Sequence, residues 1–471
     1  MNKKIYASDY ARLDSDVYTG GGTDDTEVLQ KLLDKATEWG HLHLVMDGAA
    51  LIRGLKLHSN TTIECMDKSC GFYLADDSNC ALIINADADY NHIRTHNISL
   101  IGGTYNQNCL HQEHHTILDH EDGLMFRPEA GGGQVEKWTI ALEFYGIEYL
   151  NIRDVTVRNQ RTFAVTIGNF KYVNVENTYI DLPDLMDYGN QDGFHFWGPG
   201  QFLTVRNVGG RTGDDFINIG PDECDSVSSI TDVLIDGVML DDAWQGIRML
   251  SRDKGRLDRV TVRNVTGTYR SYGFYINPWF PGKFGNFGSI FFENIDLQPI
   301  QRNCYEPDPF LFLIGADIER ITLKNIHWNA YDNREIIYLG KAYYDDAHFD
   351  YTNYKPRIRE FTLDGLQISD NREENTAEYI KVDCKIDSFI LRDTDVNTTG
   401  GKLIVTKPYA EVKNMLIDRT YVQGVEKIAE IKDGKVENLL VNNLITVNEH
   451  NYFDCNDKSV SRMLMKNTVS L

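Results

Sequence analysis

From about residue 150 onward the chain repeats a short pattern: an apolar residue, a polar one, then Asn, Asp or Gly, then commonly another apolar residue. It reads Ile152-Arg153-Asp154-Val155, Val205-Arg206-Asn207-Val208, Val262-Arg263-Asn264-Val265, Phe292-Glu293-Asn294-Ile295 and Leu323-Lys324-Asn325-Ile326. With the third position as a marker, weaker copies fall at Asn177, Gly237, Gly365, Asp393, Arg419 and Asn443. Successive markers are mostly about 23 to 31 residues apart, inside the range of solenoid repeats, with one longer interval from Asn325 to Gly365. Each copy lies in a segment rich in Val, Ile, Thr and aromatics that alternates apolar and polar positions and is bounded by Gly, Asn and Asp. That pattern predicts strands joined by tight turns. Three strands and three turns fit one repeat, and coils stacked at roughly 4.8 Å bury a continuous core. The expected fold is therefore all-β, a single-stranded right-handed parallel β-helix forming one domain over residues 1–471.

The open ends of such a stack need covering, because unpaired strand edges invite association. One amphipathic helix is predicted where a cap is required: Val28, Leu29, Leu32, Leu33 and Ala36 share a face, and Asp24, Asp25 and Thr26 supply its N-terminal cap. Residues 1–45 are read as the N-terminal cap region, 46–400 as central coils, and 401–471 as the last coils with a C-terminal cap. Two segments interrupt the coils. Residues 109–137 carry His111, His114, His115 and His120 among acidic residues and glycines, and residues 328–357 are dense in Tyr and Asp. Insertions in a solenoid often shape a binding face. No ligand spacing in the His-rich segment matches a specific metal site, so it is read as a hydrated rim, with no metal and no cofactor expected.

Four consecutive coils align by their strand cores: Asp192-Gly193-Phe194-His195, Asp215-Phe216-Ile217-Asn218, Gln245-Gly246-Ile247-Arg248 and Tyr272-Gly273-Phe274-Tyr275. Phe194, Ile217, Ile247 and Phe274 then point inward, and His195, Asn218, Arg248 and Tyr275 point outward. At the turn before each strand stand Asp192, Asp215, Gln245 and Tyr272, with Asp214 beside Asp215. Three carboxylates this close repel one another when ionised, so at least one should hold a proton more tightly than usual. Glycoside hydrolysis needs that combination of a protonated acid and an ionised carboxylate. Asp192, Asp214 and Asp215 are accordingly the candidate catalytic residues. Around them, Trp197, Trp244, Tyr272, Tyr275, Trp279 and Phe280 supply flat rings of the kind that stack on sugars, whereas Phe194 and Phe274 are read as core.

At these residues the chain resembles the polygalacturonase family, glycoside hydrolase family 28, within the pectin-lyase-like β-helix superfamily. Asn190-Gln191-Asp192-Gly193 resembles its Asn-Thr-Asp motif, and Thr212-Gly213-Asp214-Asp215 resembles its Gly-Asp-Asp motif one coil later. The resemblance also covers residues 97–104, 159–181 and 271–295. It implies an inverting hydrolase in which Asp214 is the general acid while Asp192 and Asp215 position and activate water. The departures bear on specificity. Trp244-Gln245-Gly246 stands where the family carries Gly-His-Gly, and Tyr275-Ile276-Asn277 stands where it carries Arg-Ile-Lys. Both cations that hold a substrate carboxylate in that family are therefore replaced, and Arg248 and His195 are the candidate substitutes. The substrate-binding set expected from the ladder and the resemblance is His195, Trp197, Asn218, Trp244, Gln245, Arg248, Tyr272, Tyr275, Asn277 and Trp279.

Composition narrows the partners. The 471 residues carry 47 Lys plus Arg against 70 Asp plus Glu, a formal charge of −23, which disfavours nucleic acid and anionic membrane surfaces. The opening residues lack the apolar run of a signal peptide and no later stretch has the length of a membrane span, so a cytoplasmic protein is expected, or a secreted one if a leader has been removed. Eight cysteines without C-x-x-C spacing are read as free packing thiols. The expected function is a glycosidase acting on an oligo- or polysaccharide, a plant cell-wall or pectin-derived fragment, with exo action favoured by the two insertions. Two alternatives share the fold: a polysaccharide lyase or epimerase, and a non-catalytic saccharide-binding β-helix of the phage tailspike kind.

Overall fold

The computed structural model describes residues 3–118, 135–185, 190–223, 227–252, 254–278, 284–300, 310–329, 336–341, 355–447, 452–455 and 458–471. The fold is a right-handed parallel β-helix. Strands of each coil pair in parallel with the equivalent strands of the next, as when Phe170, Val173 and Val175 of strand Val165–Glu176 face Gly200, Leu203 and Val205 of strand Phe194–Gly210. Two compact units make up the chain, residues 1–244 and 245–471.

The repeat marker has a single structural cause. Every marker is in the left-handed region, from φ +47° at Arg419 to φ +82° at Gly365, with Asp154, Asn177, Asn207, Asn264, Asn294, Asn325, Asp393 and Asn443 between. Only Gly, Asn and Asp enter that region at little cost, so the corner of each coil selects them. Stacked corners then bond side chain to side chain: Asn207 Nδ2 donates to Asn177 Oδ1 at 3.3 Å, and Asn325 Nδ2 donates to Asn294 Oδ1 at 3.0 Å. Arg419 is the departure, and its guanidinium compensates by donating through Nε to Asp393 Oδ1 of the previous corner at 2.6 Å.

Helix Thr26–Trp39 forms as expected, burying Leu29, Leu32, Leu33 and Ala36, and ends at Gly40 with φ +78°. Two details differ from the sequence reading. Val28 is exposed rather than part of the apolar face. Asp25 occupies the cap position, but its carboxylate accepts the Arg12 and Leu13 N–H groups at 2.9 Å, and Asp24 instead accepts the Thr26 N–H at 3.0 Å. The helix is strapped to strand Leu55–Leu57 by Gln30, which accepts the Lys56 N–H at 2.8 Å and donates to the Lys56 carbonyl at 3.1 Å.

At the other end, strand Val460–Lys466 lies on strand Lys435–Val447, pairing Met463 with Leu439 and Met465 with Val441. Leu439 and Val441 are fully covered, whereas Met463 and Met465 are 40 % and 43 % exposed. The six described cysteines are free thiols. Cys224 and Cys304, His120 of the His-rich segment, and most of 328–357 lie outside the described residues.

Candidate active site

The turn that carries the aspartates is built by register. Strand Phe194–Gly210 pairs with strand Asp215–Gly220 so that Phe194 faces Ile217, His195 faces Asn218 and Trp197 faces Gly220. One residue earlier the Gly193 N–H donates to the Asp215 carbonyl at 2.9 Å, which sets Asp192 and Asp215 at equivalent positions of adjacent coils, as the alignment anticipates. Asp214 joins them because the Asn190 N–H donates to its Oδ2 at 2.8 Å and the Gly213 N–H to the Gln191 carbonyl at 3.1 Å. Gln160 and Gln191 pin this turn from below: Gln160 Nε2 donates to the Asp192 carbonyl at 3.3 Å and Gln191 Nε2 to the Gln160 carbonyl at 2.9 Å.

The same device fixes two of the carboxylates. Asp192 Oδ2 lies 2.8 Å from Nδ1 of His195, three residues on, and Asp215 Oδ2 accepts Nδ2 of Asn218, also three residues on, at 2.8 Å. A turn residue and the first outward side chain of the strand thus meet over the sheet edge in both coils. Asp192 and Asp215 are buried and Asp214 is half-buried, the least covered residue of the three.

His195 is closed from its other side by a residue the sequence reading missed. Glu223 Oε2 lies 2.9 Å from His195 Nε2 and accepts Trp197 Nε1 at 2.9 Å. Glu223 comes from the turn after strand Asp215–Gly220, 28 residues beyond His195. Its nearest sequence signal is the glycine at 220, opposite Trp197 in register. Arg161 was also missed. It is a buried cation, held by Nε to the Gln112 carbonyl at 2.9 Å, three residues before Ala164, whose N–H donates to the Asp192 carbonyl.

The outward row is covered rather than open. Glu143, Thr166, His195 and Asn218 stand in register on successive strands, and all are buried. Phe163 lies over the His195 ring with centroids 4.2 Å apart and planes at 27°. Trp197 stacks on Tyr145 at 5.9 Å and 16°, and with Ile140 and Phe163 these rings form a small buried cluster. Trp197 is therefore walled in by aromatics instead of presenting a bare face. Trp244 is half-buried.

In the second unit, Gln245, Arg248, Tyr272, Tyr275 and Asn277 are likewise buried. The Arg248 guanidinium lies 5.0 Å from the Tyr275 ring centroid, a cation–π distance. Tyr272 and Tyr275 pack at 4.8 Å within a cluster that includes Phe310 and Leu313. Phe194 and Phe274 are fully buried core. Trp279 and Phe280 lie outside the described residues.

Electrostatics follow from this enclosure. Burial, reinforced by the charges of Asp214 and Asp215, pushes the Asp192 carboxyl well above the usual carboxylate range against the opposing hydrogen bond from His195. Burial works against charge on His195, but the Glu223 and Asp192 carboxylates outweigh it and raise the imidazole to about 10. The two shifts have the same sign for stability. A His raised in the folded state contributes fully below its unfolded value near 6.5 and loses that contribution as pH rises through about 10. An Asp raised in the folded state likewise favours folding less as it ionises. Thermal unfolding from about pH 6.5 to about 10 should show a falling midpoint whose slope flattens in His195→Asn. An unchanged slope in that variant would mean that the ring is not charged in the fold.

No family model and no curated protein matches the sequence. Solved structures do share its architecture. An exopolygalacturonase from Thermotoga maritima is 13 % identical, with 94 % of this chain and 91 % of that chain covered, at a TM-score of 0.49. A family 28 exopolygalacturonase from Yersinia enterocolitica is 11 % identical, covering 99 % and 78 %, at 0.45. The tailspike protein of E. coli bacteriophage HK620, solved with a pentasaccharide, is 10 % identical, covering 95 % of this chain and 77 % of that one, at 0.56. At such identities the likeness establishes the fold, and the chain shares the right-handed parallel β-helix of the tailspike.

Proposed function

We propose that the protein is a glycoside hydrolase acting on an oligo- or polysaccharide, with Asp214 as general acid and Asp192 and Asp215 as the carboxylates that position and activate water. The observation that supports this most is the division of labour among three adjoining carboxylates. Asp192 and Asp215 are buried and each is tied to a partner three residues on, while Asp214, half-buried, is the least covered of the three and the one we assign to the leaving oxygen. Hydrolysis of a glycosidic bond needs one carboxyl to protonate the departing oxygen and another to deprotonate the incoming water on the opposite face of the ring. Trp244, half-buried, is the aromatic we assign to direct sugar contact, and Trp197 supports the wall of the site from a buried position.

The substrate we assign is a short saccharide, neutral or with a single charge, such as a plant cell-wall or pectin-derived fragment, attacked from its end. Tyr275 and Asn277 stand where a polygalacturonase carries cations, His195 is already neutralised by two carboxylates, and the net charge of −23 opposes a long polyanion. Incubation with a panel of oligosaccharides, followed by NMR of the first anomer formed and ultraviolet absorbance of the products, tests the proposal. Expected are single-unit release, inverted configuration, no absorbance from a new double bond, and slower turnover of polygalacturonate than of the short neutral chains. Unsaturated products would replace hydrolysis by elimination, and saccharide binding without any turnover would place the protein with binding β-helices.

A further inference from the structure

His195 presents a counting problem. Its Nδ1 lies 2.8 Å from an Asp192 oxygen and its Nε2 lies 2.9 Å from a Glu223 oxygen, and all three side chains are nearly closed to water. A neutral imidazole has one N–H and one lone pair, so one of these contacts would set a lone pair against a carboxylate oxygen. Buried like that, the arrangement is stable only if the three groups share one proton more than two carboxylates and a neutral ring would carry. An imidazolium between two carboxylates satisfies both contacts, as does a neutral ring that accepts from a protonated Asp192 and donates to Glu223, and the paired Glu223 and Asp192 carboxylates favour the imidazolium.

Glu223 is built into this position. Its Oε2 accepts Trp197 Nε1 as well as meeting the ring, and Gly220 leaves the space it occupies, since a Cβ there would stand 2.3 Å from Oε2. Around the ring, Thr166 and Asn218 flank His195 on the neighbouring strands and Phe163 covers its face. The charged groups of this row and of the turns packed against it are Glu143, Asp192, Asp214, Asp215, Asp222 and Glu223, with His195 and Arg161 as the cations.

Resting on the hydrolase reading, we infer that Glu223 is a positioning residue for the reaction: it fixes His195 as an imidazolium, and that cation, hydrogen-bonded to Asp192, opposes the burial and the Asp214 and Asp215 charges that push the Asp192 carboxyl up. In the reaction the attacking water gives its proton to Asp192 as its oxygen bonds the anomeric carbon, while the bond to the leaving oxygen breaks and that oxygen takes the Asp214 proton. His195 keeps both its protons throughout. Without Glu223 the ring has one carboxylate instead of two, sheds its second proton more readily, and leaves Asp192 without a counter-charge among like charges. Once the ring is neutral it no longer opposes the burial and the Asp214 and Asp215 charges that raise the Asp192 carboxyl, so a larger share of Asp192 already carries a proton and cannot take one from water.

The test is Glu223→Gln in the full chain, because the amide oxygen still accepts from the ring and from Trp197 while the charge is gone. The pH dependence of kcat/KM and the ring-nitrogen NMR of His195 are followed together. The titration of His195, about 10 with Glu223 in place, should fall by roughly 1–3 pH units in the variant. The alkaline limb of kcat/KM should move with it and KM should change little. A variant pH profile superimposable on that of the parent would overturn the inference. The unsubstituted protein supplies a second measurement: a doubly protonated His195 ring at pH 8 supports the bridge, and a neutral ring overturns it. If no saccharide is turned over at all, the hydrolase reading falls and the ring NMR still decides the bridge.

Discussion

Asp214→Asn should fold like the parent and lose about 10² to 10⁴-fold of its turnover on the natural oligosaccharide. The amide keeps the size of the carboxyl and can still accept the Asn190 N–H through its oxygen, so the turn has no reason to move. What disappears is the proton for the leaving oxygen. The loss should therefore shrink on an aryl glycoside whose leaving group departs without protonation. Asp192→Asn and Asp215→Asn should damage turnover of both substrates, because activation of water is needed whatever leaves. The three variants compared on the two substrates, with circular dichroism as the check on folding, separate an acid from its companions. Full activity in all three would reduce the cluster to turn chemistry and remove the basis for a hydrolase.

The parts of this site that lie along one coil were legible in the chain. Asp192 and Asp215 precede strand cores whose inward residues, Phe194 and Ile217, pair in register, and the period-two alternation that reveals a strand also sets which side chain follows on the outer face. The corner residues were legible for a related reason. A left-handed φ restricts residue type, so Asn264, Asn294 and Asn325 betray the coil boundary through their identity.

Residues whose role depends on where a turn folds back were not legible. Glu223 meets His195 only because residues 221–223 turn over the strand end, and nothing in a Gly-Pro-Asp-Glu run distinguishes that path from any other turn. Outward alternation was also a poor guide to solvent. His195, Asn218 and Thr166 point away from the coil interior and are buried all the same, since other side chains lie over them. A second corner column is opaque for the opposite reason. Tyr149, Tyr172 and Phe202 hold φ values of +55° to +62°, where aromatic residues are costly, and stack at 4.9 Å and 5.0 Å. Ring stacking contributes about 0.5–1.5 kcal/mol per pair and offsets part of that strain, a compensation that exists only after the coils have assembled.

The dependence of the chemistry on one corner yields the second large effect, in Gly210→Ala. Gly210 has φ +133°, a conformation open to little but glycine, and a Cβ there would stand 2.0 Å from the Ile180 carbonyl oxygen. That oxygen accepts the Arg211 N–H at 3.0 Å, so it cannot withdraw without releasing the start of the turn that carries Asp214. Strain and overlap with a backbone atom together should cost roughly 3 kcal/mol or more. Any relief shifts residues 211–213, and with them Asp214, whose carbonyl is tied to Thr212 Oγ1 at 2.9 Å. A displacement near 1 Å at reacting groups is enough for about a 10²-fold loss of turnover, so activity should fall even in the fraction that folds. Gly40→Ala is the control: its φ is +78° but nothing lies within 4 Å of the added Cβ, so it should lose about 1 kcal/mol and keep full activity. Denaturant unfolding and saccharide turnover measured on both variants test the link between the corner and the carboxylates. Parent-like turnover in a folded Gly210→Ala protein would show that the Asp214 turn is positioned independently of the corner before it.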